Sequence, residues 1–164
     1  DVAKNMPKVP LHLIGEVRPL ELVERLREIA GTNTNLVIDG NGYFVDPEKK
    51  NRLVRNGNWL AALCIFPYSI QYLNTEPTKF FDYMSYGIPI ICSNFPVWKD
   101  FIDKEKCGLT VNPNDIVDII DKINFLLNNI EAGVTMGENG RKAVLKKYNW
   151  EKESNKLIKL YLNI

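Results

Sequence analysis

NTEPTKFFDYMSYGIP, residues 74–89, is the stretch whose reading decides the fold. It is punctuated as a helix is. Pro77 suits the first helical position, because its missing N–H would be unpaired there anyway and its φ is already near the helical value. Gly87 suits the position just past the helix end, where a left-handed backbone is wanted, and Pro89 stops any continuation. Apolar runs flank this helix. Trp59–Phe66 is a continuous run of apolar and small residues and predicts a strand buried on both faces; Ile88–Cys92 predicts another. Strand, polar loop, helix and buried strand make a βαβ unit, so the chain reads as α/β with mostly parallel pairing.

Working outward, Val9–Ile14 predicts a first strand. Leu20, Leu22, Val23, Leu26 and Ile29 recur near a helical period. Asn35–Ile38 predicts a second strand and Tyr43–Val45 a short third. Asp46 and Pro47 look like an N-cap and first residue of a polar helix reaching towards Arg55. Pro96–Ile102 predicts a short helix and Gly108–Val111 the last strand. Asn112–Pro113 is expected to cap a helix ending near Asn128, with residues 137–148 and 151–162 as a helical tail. The sum is a Rossmann-like open parallel sheet of about five or six strands with helices on both faces, in a single domain over residues 1–164. Two connections look compressed. Asp39–Gly42 leaves no room for a crossover helix before Tyr43, and Arg18 leads almost directly into a helix. Either these loops are tight or residues are missing around Arg18 and Gly40.

A chain of 164 residues with 45% hydrophobic and 25% charged residues is ordinary for one folded domain and excludes disorder. A net charge of +1 gives no footprint for nucleic acid or an anionic membrane. No stretch approaches the ~18 apolar residues of a membrane span, and no signal peptide is recognisable. The start at Asp1 without methionine reads as a piece of a longer protein. Cys64, Cys92 and Cys107, odd in number and widely spaced, fit neither a disulfide framework nor a zinc site. Cys64 and Cys92 sit in apolar runs and read as buried reduced thiols, which favours the cytosol. His12, the sole histidine, lies in the apolar run VPLHLIG and reads as structural.

Ligands of open parallel sheets bind outside the carboxyl ends of the strands, at helix N-termini. The stretch after Phe66 meets that description. Pro77 offers no N–H, so the free amides expected at the helix start belong to Thr78, Lys79 and Phe80, and with the positive helix end they suit a diphosphate. The Thr78 hydroxyl and Lys79 ammonium add a donor and a charge. Asp82, one turn further, can accept two hydrogen bonds from a vicinal diol such as a ribose. The same residues also serve as an ordinary cap and a solvated charge. No GxGxxG follows the first strand; Gly15-Glu16-Val17-Arg18 stands there instead. No Asp-x-Asp or histidine cluster suggests a metal.

The block TEPTKFFDYMSYGIPIICSNFPVWKDFI, residues 75–102, resembles the donor-binding signature of retaining glycosyltransferase family 4, also called group 1. The similarity continues through Cys107-Gly108-Leu109, the Asn112–Asp115 turn, MGENGR at 136–141 and Tyr148–Glu151, and covers the chain from about Phe66 onward. The resemblance implies the GT-B fold, two facing Rossmann-like domains, of which this chain matches the C-terminal, nucleotide-sugar-binding half; the N-terminal acceptor domain is absent. It implies hexosyl transfer with retention from a UDP- or GDP-type nucleotide diphosphate sugar, with no cofactor and no metal. Lys79 and Arg18 are the implied cations on the departing diphosphate. The family's two acidic residues fall on Asn74 and Asp82. Asp82 is implied to hold the ribose hydroxyls; Asn74 cannot act as a base, though it can hydrogen-bond sugar or phosphate. Val45 is placed at the base, and Phe95 and Trp98 in the loop shaping the donor pocket. Implied partners are the nucleotide sugar and the missing N-terminal domain, with no nucleic acid and membrane contact only through that domain. The implied location is cytoplasmic, with peripheral attachment at the inner membrane face left open, and the implied setting is surface-polysaccharide synthesis. A rival reading is a non-catalytic nucleotide-binding or scaffold domain on the same fold, which Asn74 keeps open. A sugar-nucleotide epimerase would need acid and base residues near the phosphate site that His12 is badly placed to supply.

Overall fold

Parallel strands and helices alternate along the chain in a computed structural model that describes residues 1–32, 35–39 and 43–162. The chain divides into two units, Asp1–Asn58 and Trp59–Ile164.

In the first unit a short helix, α1 (Val2–Asn5), precedes β1 (Leu11–Ile14). Helix α2 (Leu20–Thr32) leads to β2 (Leu36–Asp39), which pairs in parallel with β1 from Leu11↔Leu36 to Ile14↔Asp39. Ala3, Met6, Val23, Leu36 and Val45 are buried here. Asn35 ties the N-terminal turn to the sheet: its buried Nδ2 donates to the carbonyls of Ala3, Met6 and Val9 at 3.0, 2.9 and 3.0 Å. The backbone carbonyl of Asn35, which a substitution leaves in place, accepts from the Leu11 N–H at 2.8 Å. Asn35→Ala strands these carbonyls, so the variant is expected to lose about 2 kcal/mol and to show faster amide exchange across residues 2–9. His12 Nδ1 lies 3.0 Å from Asp39 Oδ2 across the two strands, half-buried.

The expected cap at Asp46 is present. Its Oδ1 accepts from the amides of Glu48 and Lys49, Pro47 is the first residue of α3 (Pro47–Asn56), and no extra turn is needed. The expected third strand at Tyr43–Val45 does not form; these residues lead irregularly into the cap, with Val45 buried. The compressed connection at Asp39–Gly42 lies, beyond Asp39, outside the described residues.

In the second unit β3 (Ala62–Cys64), β4 (Ile90–Ser93) and β5 (Gly108–Val111) form a parallel sheet in the order β3-β4-β5. β4 is central and buried along its whole length, which explains its purely apolar and small sequence. The strands therefore fall into a two-stranded and a three-stranded sheet among the described residues, where the sequence suggests one sheet of five or six. A short helix, α4 (Ile70–Leu73), lies within the expected polar loop, and α5 (Thr78–Ser85) follows. Helix α6 (Pro96–Glu105) joins β4 to β5.

Helix α7 (Ile116–Asn128) is capped by Asp115, which accepts from the amides of Val117 and Asp118, and not by Asn112–Pro113. Those residues form a separate turn closed by the Asp115 N–H on the Asn112 carbonyl. Helix α8 (Ile130–Lys146) starts before Gly137, where the tail was expected to begin, and α9 (Trp150–Leu162) ends the described chain. Trp150, Leu157, Leu160 and Tyr161 on α9 are exposed.

The core of this unit is aromatic and sulfur-rich: Phe80, Met84, Phe95, Trp98 and Phe101 pack with Cys64, Cys92 and Cys107. All three cysteines are free and buried, including Cys107, whose flanking charges hid this. Burial pushes the Cys64 thiol up to about 11 against the opposing charge of Lys79, pushes Cys107 up to about 12, and raises Cys92 as well. These thiols are inert packing groups. Among the described residues no helix is long and apolar enough to cross a membrane.

Candidate functional site

The loop from β3 to α5, together with α5 itself, carries most of the residues singled out in the sequence. Pro77 is the N-cap, with φ −72° and ψ 130°, and not the first helical residue. The shift by one position changes the supply of amides. The Phe80 N–H is taken by the Pro77 carbonyl at 3.0 Å. The N–H groups of Thr78 and Lys79 donate to no acceptor among the described residues. Two amides are thus open where three were expected, at the positive end of an eight-residue helix.

Thr78, Lys79, Asp82 and Asn74 are all exposed. The Lys79 ammonium lies 5.6 Å from the centroid of the Phe66 ring, a cation–π contact that keeps it beside the helix start. The Asp82 carboxylate, one turn further along, accepts no hydrogen bond among the described residues. Asn74 ends α4, four residues before the first residue of α5. A neutral amide, two open N–H groups, a hydroxyl, an ammonium and a carboxylate therefore share one loop-and-helix stretch. Two grooves, of 430 and 360 Å³, are lined by Ile102, Lys106, Met136 and Asn139 and by Glu76, Phe101, Lys104 and Tyr148 respectively. Thr78, Lys79 and Asp82 line neither of them and stand on open surface.

Phe95 lies between β4 and α6, in the expected loop, with its ring turned inward. Its ring is wholly buried, with centroids 5.0 Å from Tyr68 and 4.7 Å from Trp98, so it supports the loop from beneath and presents no face of its own. Trp98 is buried likewise. Their spacing along α6 from Phe95 to Trp98 and Phe101 is that of a helix face turned to the core, which the sequence carried as a signal.

Arg18 and Val45 belong to the first unit. Arg18 is exposed, and its Nε and Nη2 both donate to Glu16 Oε1, at 2.8 and 2.7 Å. Its cation is paired with the glutamate two residues earlier, a partner that the sequence reading passed over. Val45 is buried, so only its backbone is available to a ligand. Among the described residues no group of three or more His, Cys, Asp or Glu is arranged to hold a metal ion.

Comparison with protein families gives a match to the glycosyl transferases group 1 model over residues 4–143. No significant match is found among curated protein sequences. Among solved structures, sucrose-phosphate synthase from Thermosynechococcus elongatus superposes with a TM-score of 0.74 at 22% identity, covering 99% of this chain and 41% of that one. The C-terminal domain of LpcC, a glycosyl transferase group 1 family protein from Francisella tularensis, gives a TM-score of 0.70 at 18% identity, covering 91% of this chain and 74% of that one. At such identities the likeness is one of fold, and this chain spans under half the length of the synthase. With the family match covering most of its length and a fold shared with GT-B enzymes, the chain belongs to the glycosyl transferases of group 1.

Proposed function

We propose that this chain is the donor-binding domain of a retaining glycosyltransferase, which moves a hexosyl group from a UDP- or GDP-type nucleotide sugar to an acceptor held elsewhere in the protein. The observation that carries this reading is the open pair of amides at Thr78 and Lys79 beside the Lys79 ammonium, one helical turn from the unengaged Asp82 carboxylate. A nucleoside diphosphate matches that set. The diphosphate takes the amides, the Thr78 hydroxyl and the ammonium; the ribose diol takes Asp82.

The catalytic demand is to stabilise negative charge gathering on the departing diphosphate while positive charge develops at the anomeric carbon. Helix amides and Lys79 supply that stabilisation without reorganising during the reaction. Asn74 remains neutral and serves the sugar as a hydrogen-bonding group, not as a base. A chain with donor contacts alone binds nucleotide and turns over no sugar.

The test is calorimetric titration and thermal shift of this chain with UDP, GDP, ADP and their sugars. One nucleotide class is expected to stabilise it selectively. Lys79→Ala is expected to weaken that diphosphate about tenfold and to leave the bare nucleoside nearly unaffected. No response to any nucleotide would replace this reading with that of a scaffold domain on the same fold.

A further inference from the structure

Two side chains, Ser93 at the end of β4 and Trp98 in the first turn of α6, hold the two ends of the loop leading into α5. At its start, Ser93 Oγ accepts from the Phe66 N–H and donates to the Phe66 carbonyl, both at 2.8 Å. At its end, the Trp98 Nε1–H donates to the Thr75 carbonyl at 2.5 Å, two residues before the Pro77 cap. The Trp98 indole is 1% exposed and meets Phe66 and Phe80 edge-on, with centroids 6.0 and 5.4 Å away. Phe66 is also the ring beside which the Lys79 ammonium rests. One indole thus touches the first aromatic of the loop, its penultimate carbonyl before the cap, and the helix bearing Thr78 and Lys79.

A buried indole must pair its N–H. Trp98 does so on a loop carbonyl and not within its own helix, so the bond determines the path of the loop. We propose that Trp98 is a positioning residue for the diphosphate site. It sets the backbone path from Thr75 to Pro77, and so the direction in which the Thr78 and Lys79 amides point, and it holds the Phe66 ring against the Lys79 ammonium. The inference rests on reading those amides and that ammonium as diphosphate ligands.

The test compares this chain with its Trp98→Phe and Phe101→Leu variants in two measurements. Calorimetry gives the affinity for UDP over uridine and for GDP over guanosine; amide exchange without ligand gives the mobility of residues 75–80. Trp98→Phe is expected to lower the diphosphate-to-nucleoside preference about fivefold and to speed exchange at Thr78 and Lys79. Phe101→Leu loosens the same aromatic cluster through Phe80 and Phe81 but removes no hydrogen bond to the loop, and is expected to lower the melting temperature while leaving the diphosphate preference and the exchange at Thr78 and Lys79 in place. An unchanged preference in Trp98→Phe, or an equal fall in Phe101→Leu, overturns the proposal. If the parent chain binds no nucleotide the functional reading fails by itself, and exchange still decides the positioning role: no acceleration in Trp98→Phe overturns it. Should Trp98→Phe fold poorly, an isosteric benzothienyl side chain incorporated at position 98 removes the N–H alone and is read the same way.

Discussion

Gly137→Ala is expected to destabilise the Trp59–Ile164 unit by about 3 kcal/mol or more, or to prevent soluble accumulation. A Cβ at Gly137 would stand 2.0 Å from the Gly87 carbonyl oxygen and 2.8 Å from its carbon. Those atoms are backbone, so no side chain can swing aside. Nor can Gly87 move cheaply. Its φ is +70°, and it ends α5 with a double bond pattern: its own N–H on the Met84 carbonyl and the Ile88 N–H on the Tyr83 carbonyl, both at 3.0 Å. Shifting Gly87 would also disturb Ile88 and Pro89, which enter central strand β4. Gly133, one turn earlier on α8, is the control. A Cβ there meets Leu126 at 3.6 Å and Pro89 at 4.0 Å, ordinary contact distances. Gly133→Ala is therefore expected to be neutral or to stabilise by up to about 1 kcal/mol through helix propensity. The chain's three tryptophans, Trp59, Trp98 and Trp150, all lie in this unit, so urea unfolding followed by their fluorescence reads both variants directly.

This glycine pair shows where the sequence was legible and where it was not. Gly87 announces itself through local chemistry, since a helix ending needs a left-handed residue and a proline follows. The same holds for Asp46 before Pro47 and for the continuous apolar runs that became β3 and β4. Gly137 has no such local signature. Its reason lies in another helix, so in sequence this mid-helix glycine looks like a boundary, although α8 runs through it from Ile130 to Lys146. Tertiary partners likewise decided Arg18, whose engagement by Glu16 depends on loop conformation, and Phe95, whose burial depends on Tyr68 and Trp98. Around the candidate site, the order of residues along the chain was enough to bring Asn74, Thr78, Lys79 and Asp82 onto one stretch. The cap position was not, because Pro77 satisfies the sequence rule equally well one residue earlier or later, and its extended backbone at ψ 130° and the bond from Phe80 to its carbonyl distinguish them.

Glu105→Gln is expected to cost about 2 kcal/mol near pH 7, and progressively less only as the pH falls below the ordinary carboxylate value of about 4.5 and through the lower folded-state one. Flanked by Lys104 and Lys106, Glu105 looks in sequence like surface charge, yet it is buried at the end of α6. Lys147 Nζ reaches its two carboxylate oxygens at 3.0 and 2.8 Å, and the Tyr148 hydroxyl donates to Oε1 at 2.8 Å. Burial pushes the Glu105 carboxyl up, but the hydrogen bonds from Lys147 and Tyr148 and the charges of Lys147 and Lys104 outweigh it, leaving the group below its ordinary value. The Tyr148 phenol is pushed up to about 12, by burial and by its bond to the carboxylate. For a carboxylate held low in the folded state, the ionised form contributes stability above the ordinary carboxylate range, and the contribution disappears as pH drops through the folded-state value. Urea midpoints of parent and variant should therefore converge in acid; a gap of constant size would mean that shape, not charge, fixes this corner. Lys147→Met separates the two further. It leaves an ionised carboxylate buried with Tyr148 and a distant Lys104 at 3.9 Å, so alone it should be more damaging than when combined with Glu105→Gln. That inversion, a double variant more stable than one of its parents, is the signature of a buried charge left without its partner, and simple loss of packing does not produce it.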